Sequence, residues 1–249
     1  MPLITRAIEE STRLEGAGET QRRFMREASG FGDAVECAAR CLQLHEVGGD
    51  CYDFMNLPGG RVALAVGDAS GKGVAASLMI SAAQASLRMA SSFACEENDA
   101  IVGAVNRQLW QASLPERHVT FFYGVYEPST RKLQFVNAGH NPPMVVRHGG
   151  SIEWLEKGGA PLGMFADWKY EEGSVQLEAG DLLVAYTDGV TEAMSPVDEE
   201  FGSDGLQHVV LQNGSRPAGE IVEEVFTEIQ QFTCGALSDD ATVAVLRVR

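Results

Sequence analysis

The chain has 249 residues, 45% of them hydrophobic, and carries a formal charge of −16 from 35 acidic against 19 basic residues. That length suits one large domain or two small ones, and the apolar content is too high for a disordered chain. The charge disfavours nucleic acid and anionic lipid as partners; no apolar run approaches the ~20 residues that span a bilayer, and the first ten residues lack the basic start and apolar block of a signal peptide, so a cytoplasmic location is expected.

Residues 3–29 read as helical and polar, with Ala7, Leu14, Ala17, Phe24 and Ala28 near heptad spacing, interrupted by Glu10 and Gln21. Gly16 and Gly18 divide the segment into two helices. The expectation is an N-terminal arm over 1–31, regulatory or dimerising rather than merely packed, ahead of a single domain over 32–249. Residues 35–44 read as a strand. Residues 51–57 and 61–67 form a hairpin around Pro58-Gly59-Gly60. After Gly73 the pattern turns helical through 74–91, and its small residues (Ala75, Ala76, Ser77, Ala82, Ala83, Ala85) require a close neighbour. A second helix covers 99–113, with Ile101, Val105, Leu109 and Trp110 expected on its inner side.

Residues 119–126 and 132–137 flank the turn Pro128-Ser129-Thr130, and 144–147 and 152–155 flank Gly149-Gly150. Both are antiparallel hairpins, because the connections are too short for crossovers. Another core strand spans 182–186, helices follow over 204–212 and 218–232, and 241–248 is a final strand. This order predicts an α+β fold of antiparallel sheets with helices outside.

Cysteines 37, 41, 51, 95 and 234 are scattered and odd in number, so they form no disulfide framework. Cys37, Cys41 and His45 would align as soft-metal ligands on a helix, but the segment reads as a strand, and free thiols are expected.

Four stretches put aspartate beside glycine or a second aspartate at the end of an apolar run: Gly48-Gly49-Asp50, Gly67-Asp68-Ala69-Ser70-Gly71-Lys72-Gly73, Thr187-Asp188-Gly189 and Ser238-Asp239-Asp240. Any one could be a turn. Together, all following apolar strands, they suit hard cations, because oxygen-only donor sets select Mg²⁺, Mn²⁺ or Ca²⁺. Crowded carboxylates need protons or metals to neutralise them, and two ions close together activate water against a phosphate. Gly67, Gly71, Gly73 and Gly189 either let a carbonyl approach an ion or supply turns.

The 67–73 stretch is not a nucleotide P-loop: Val66 stands where that motif needs glycine, and Gly73 follows the lysine. Lys72 either holds a substrate phosphate near the following helix N-terminus or is solvated. In Asn137-Ala138-Gly139-His140-Asn141-Pro142-Pro143, His140 either donates a proton to the leaving group or fixes the turn; the second reading is preferred.

At these residues the chain resembles the bacterial metal-dependent protein serine phosphatases of the PPM superfamily, SpoIIE/RsbU branch. The resemblance runs from about residue 33 to the C-terminus through Val47-Gly48-Gly49-Asp50-Cys51-Tyr52-Asp53, Gly67 to Gly73, Asn137 to Pro143, Ala160-Pro161-Leu162-Gly163, Tyr186-Thr187-Asp188-Gly189-Val190-Thr191-Glu192-Ala193 and Asp239-Asp240-Ala241-Thr242. It implies an α-β-β-α sandwich with two Mn²⁺ or Mg²⁺ ions between the sheets. Asp68 would bridge both, Asp50 and the Ala69 carbonyl would complete one, and Asp188 and Asp239 the other, with Asp53 and Asp240 as secondary candidates. Asp68 and Asp188 would act catalytically through water, with Lys72 and His140 as further candidates. The implied substrate is a phosphorylated STAS-fold anti-sigma-factor antagonist, and the arm makes a homodimer an expectation. The branch lacks the phosphate-binding arginine of its eukaryotic relatives, and Lys72 is the substitute the sequence offers. The rival readings are a pseudophosphatase that only binds such a partner and a hydrolase of small phosphoesters.

Overall fold

A computed structural model describes residues 14–25, 31–93, 97–112 and 116–249. The expectations placed on Ala7, Glu10, Ala28 and Cys95 lie outside the described residues.

The described chain begins with helix α1 (residues 14–22). Strands β1 (Val35–Leu42), β2 (Asp50–Leu57) and β3 (Arg61–Ala69) follow, then helices α2 (Val74–Phe93) and α3 (Asn98–Ala112). Next come β4 (Val119–Glu127), β5 (Lys132–Ala138), β6 (Met144–Val146), β7 (Ile152–Trp154), β8 (Gly158–Gly159), β9 (Gly173–Gln176) and β10 (Leu182–Tyr186). The one-turn helix α4 (Asp188–Thr191), α5 (Gly202–Asn213), α6 (Ala218–Phe232) and β11 (Ala241–Val248) complete it.

The strands form two sheets, one in the order β1-β11-β10-β6-β7 and the other β2-β3-β4-β5-β8, with β9 also pairing β5. The hairpins are antiparallel as their short turns require, while β8 pairs β5 in parallel. Alternation along the strands assigns each face. In β3, Val62, Leu64 and Val66 point between the sheets, where they meet Phe122, Leu183, Ala244 and Leu246. Ala63 and Ala65 point the other way, beneath α2 and α3. In β11, Val243 and Val245 face α5 and α6, and Ala244 and Leu246 face the opposite sheet. Both faces of each central strand are therefore apolar, as sheets covered on both sides demand. The layers are helix, sheet, sheet, helix.

The small residues of α2 find their close neighbour in this packing. Ala76 and Ala83 are fully buried against the Ala63–Ala65 face, with Ile80 and Leu87 filling the space between. Burial of each of those larger side chains contributes ~1.5–3 kcal/mol. Ala75, Ala82 and Ala85 face outward.

Two expectations need correction: helix α1 runs unbroken through Gly16 and Gly18, which do not divide it, and Trp110 does not face inward. Ile101, Val105 and Leu109 do line the inner face of α3, but Trp110 is 49% exposed. One residue past Leu109 is a rotation of about 100°, which carries the indole off the buried stripe. As expected, β1 is a strand, so the Cys37–Cys41–His45 alignment does not form, and Cys37, Cys41, Cys51 and Cys234 are free thiols. Among the described residues no helix is long and apolar enough to cross a membrane.

Helix α1 packs on the domain. Gln21 is buried and hydrogen-bonds Gly48, and Gln84 of α2 donates to the Phe24 carbonyl at 3.0 Å.

Candidate metal centre

Antiparallel pairing explains how aspartates far apart in the chain meet. In one sheet the first residue of β2 pairs with the last turn of β3, so that Asp50 stands opposite Asp68. In the other sheet Asp188 follows β10 while Asp239 and Asp240 precede β11, and Thr187 N–H donates to the Thr242 carbonyl at 3.1 Å across that end. Only Asp68 and Asp188 thus sit where an apolar strand ends; Asp50 and Asp239-Asp240 open theirs. Starts and ends are adjacent in an antiparallel hairpin, so both kinds of position reach one rim.

Two glycines make the approach close enough. A Cβ on Gly49 would stand 3.0 Å from the Ala69 carbonyl oxygen and 3.3 Å from Asp68 Oδ1. A Cβ on Gly189 would stand 1.9 Å from the Asp240 carbonyl oxygen. Any side chain at these positions would drive the loops apart.

Each carboxylate has a distinct setting. Asp50 is 1% exposed, and its Oδ2 accepts from the Thr187 hydroxyl at 2.6 Å and the Thr242 hydroxyl at 2.7 Å. Asp240 accepts from Leu44 N–H on Oδ1 and Gly49 N–H on Oδ2, both at 2.7 Å, and so ties the β1–β2 loop to the start of β11. Asp239 pairs with Lys72 Nζ at 2.7 Å, and that ammonium also donates to the Ser238 carbonyl at 2.9 Å. Asp53 lies under α2, where Arg88 of that helix is its ion-pair partner. Lys72 is therefore not simply solvated but paired across an exposed contact with Asp239, and Asp53 is engaged away from the rim.

His140 is buried. Its Nδ1 shares a hydrogen bond with the Thr120 hydroxyl at 2.9 Å, its N–H donates to Asn137 Oδ1 at 2.7 Å, and its carbonyl accepts from Asn137 Nδ2 at 3.0 Å. Burial lowers its pKa to about 4, and the Tyr186 backbone only partly opposes this. Nε2 makes no well-formed hydrogen bond with a described residue. A neutral imidazole stitched into its own loop fits the turn-fixing reading.

A family model described as Stage II sporulation protein E (SpoIIE) matches residues 58–249. The chain belongs to that family. The matched region holds Asp68, Lys72, His140, Asp188, Asp239 and Asp240, while Asp50, Asp53 and α1 lie ahead of it. This SpoIIE-family chain is 30% identical over 229 residues to Protein IcfG of Synechocystis, covering 81% of the chain and 36% of IcfG. It is 25% identical over 216 residues to Phosphoserine phosphatase RsbU of Bacillus subtilis, covering 86% and 64%. It therefore spans less than two thirds of either relative. The SiaA-PP2C domain of Pseudomonas aeruginosa superposes on it with a TM-score of 0.85 over the whole of both chains at 21% identity, which shows a PP2C-type fold.

The electrostatics of the rim are unfavourable to bare carboxylates. Burial first, then the hydroxyl donors in opposition and the Asp240 and Asp188 charges in support, leave Asp50 at about 7. Burial, followed by Asp50, Asp188, Asp239 and Asp240, pushes Asp68 to about 8. Asp188 also rises, through burial and then Asp239. Among the described residues no three His, Cys, Asp or Glu side chains already stand in ligating geometry; Asp50, Asp239 and Asp240 spend oxygens on protein donors. The donor chemistry still fits divalent cations: oxygen ligands only, mutual repulsion that a cation relieves, and the gap kept by Gly49 beside Asp68 Oδ1 and the Ala69 carbonyl.

Thr187 and Thr242 were given no role from sequence, although both stand inside quoted motifs. The available signal was Thr187 beside Asp188 and Thr242 two residues after Asp240, since a hydroxyl is a compact donor that can hold a buried carboxylate.

Proposed function

We propose that this chain is a metal-dependent phosphoprotein phosphatase that hydrolyses phosphoserine or phosphothreonine in the cytoplasm. The observation that carries the reading is the gathering of Asp50 and Asp68 from one sheet with Asp188 and Asp239 from the other, in a setting that lifts Asp50 to about 7 and Asp68 to about 8. Asp50, Asp68 and the Ala69 carbonyl would hold one Mn²⁺ or Mg²⁺, and Asp68, Asp188 and Asp239 a second. Bound there, the ions supply Lewis acidity and lower the pKa of water.

The chain's own residues prepare that site. Thr187 and Thr242 keep Asp50 oriented by occupying a single oxygen. Asp240 fixes the Gly48–Asp50 loop as a positioning residue. His140, neutral and buried, holds the Asn137–Pro143 loop rather than moving a proton. Asp53 supports α2 through Arg88.

The similarity to Phosphoserine phosphatase RsbU supports a phosphoserine protein as substrate, and we assign the partner class as a STAS-fold anti-sigma-factor antagonist, with pairing of the N-terminal arm as the route to a homodimer. Incubating the protein and Mn²⁺ with phosphorylated STAS proteins and, separately, with p-nitrophenyl phosphate and phosphorylated metabolites tests the reading. Phosphate release that disappears in Asp68→Ala and Asp188→Ala is expected. Full activity in either variant refutes the metal assignment, Mn²⁺ binding without turnover of any ester favours the pseudophosphatase, and turnover confined to metabolites favours a small-molecule hydrolase.

A further inference from the structure

Lys72, the candidate for holding a substrate phosphate, is turned toward Asp239 and the Ser238 carbonyl. A second basic side chain stands at the same turn. Arg117 directly precedes His118, whose N–H donates to Ser70 Oγ at 3.0 Å and whose carbonyl accepts Ser70 N–H at 2.9 Å. These two bonds zip the approach to β4 onto the Asp68–Gly73 turn. The Arg117 guanidinium lies over that turn: a Cβ on Gly71 would stand 3.4 Å from its Nη1. The ladder below it continues with Asp68 opposite Thr120 and Ala69 opposite Val119.

Arg117 makes no ion pair or hydrogen bond with any described residue, in a protein with 35 acidic side chains. Arg40, Arg88, Arg131, Arg147, Arg216 and Arg249 all find carboxylate partners. A partly buried arginine left with its planar fork of donors unused, beside a turn that carries a candidate metal ligand, is arranged for an anion with several oxygens.

We propose that Arg117 binds the phosphoryl group of the substrate, with its guanidinium donating to non-bridging phosphate oxygens at the Asp68–Gly73 turn. The inference rests on the phosphatase reading and adds to it the residue that holds the phosphoryl group before hydrolysis and the phosphate product after it. It involves no bond making by Arg117. The guanidinium orients the ester and offsets its charge against the surrounding carboxylates, which would otherwise repel a phosphomonoester.

The test measures inhibition by inorganic phosphate, steady-state hydrolysis of p-nitrophenyl phosphate and Mn²⁺ affinity by calorimetry, for wild type, Arg117→Lys and Arg117→Ala. Losing a charge-assisted hydrogen-bonding group should weaken phosphate inhibition and lower kcat/KM by roughly 10- to 100-fold in Arg117→Ala. Arg117→Lys should recover part of it, because charge remains and the fork is lost. Methylguanidine should restore turnover to Arg117→Ala and leave wild type unchanged, which a merely structural arginine would not produce. Mn²⁺ affinity should stay within about twofold of wild type. An active wild type with unchanged phosphate inhibition and kcat/KM in Arg117→Ala overturns this inference alone, as does a loss of turnover that tracks a loss of Mn²⁺ affinity. A wild type that neither hydrolyses an ester nor binds phosphate in the presence of Mn²⁺ overturns both this inference and the phosphatase reading.

Discussion

Gln21 clasps Gly48 with both polar atoms of its side chain: Nε2–H donates to the Gly48 carbonyl at 2.7 Å, and Oε1 accepts the Gly48 N–H at 3.0 Å as well as Gln43 Nε2–H at 3.0 Å. Gly48 lies two positions before Asp50, so helix α1 is fastened to the loop that delivers a candidate metal ligand. Gln21→Leu keeps the side-chain bulk and leaves two buried backbone groups without partners, at a cost of about 1–3 kcal/mol. Amide exchange at Gly48 and Gly49 should speed up in this variant, and the denaturant midpoint should fall. Unchanged exchange at both amides would show that α1 does not brace the loop.

Period-2 alternation made most strands readable. In β3 large apolar residues alternate with alanines, so 61–67 stood out, and the observed β11, Ala241–Val248, has the bounds expected. Helix α6 carries Ile221, Val222, Val225, Phe226 and Ile229 at helical spacing and also matches its expected bounds. The strand β8 was invisible because Gly158 and Gly159 have no side chains to alternate. Its pairing depends on that bareness, since a Cβ on Gly158 would stand 1.9 Å from the Asn137 carbonyl oxygen. At the site, acidic residues beside glycines were legible as candidate ligands. Their protein partners were not, because Thr187–Asp50 and Asp240–Leu44 link positions that only the fold brings together.

Replacing Thr187 and Thr242 with valine should weaken metal binding in a pH-dependent way. The two hydroxyls lower the Asp50 pKa against the upward push of burial, leaving it at about 7. Without them the carboxyl keeps its proton to higher pH, and a proton must leave before a cation binds. Mn²⁺ affinity of Thr187→Val/Thr242→Val should therefore fall about tenfold or more at pH 7 and approach wild type as pH rises toward 9. Serine at both positions retains the donors and should resemble wild type. A deficit that is the same at every pH would mean that the threonines act through packing.

Lys72 and a cation compete for Asp239. The pair is exposed, with the lysine side chain 51% and the aspartate 43% accessible, so it is worth no more than about 1 kcal/mol. Lys72→Met should raise Mn²⁺ affinity severalfold at low ionic strength, with the gain shrinking as salt screens the wild-type pair. If Lys72 instead held the substrate, metal affinity would not change and KM for p-nitrophenyl phosphate would rise.

His140 should make stability depend on pH in the mildly acidic range. Its folded-state pKa of about 4 lies below the ordinary 6.5 because burial opposes the charged ring. Between these values the unfolded chain binds a proton that the folded chain refuses. The stabilisation is complete above pH 6.5 and is lost as pH falls toward 4, at about 1.4 kcal/mol per unit. Other groups titrate in the same range, so the measurement is a difference. The stability of wild type minus that of His140→Gln, from denaturant melts at pH 7.5 and pH 4.5, should fall by about 2–3 kcal/mol across that interval, because glutamine does not titrate. Thr120→Val provides the control: it removes the Nδ1 partner while His140 stays buried, so it should shift stability by a nearly constant amount and retain the slope. A difference between wild type and His140→Gln that is flat with pH would mean that the imidazole is solvated or charged in the folded protein.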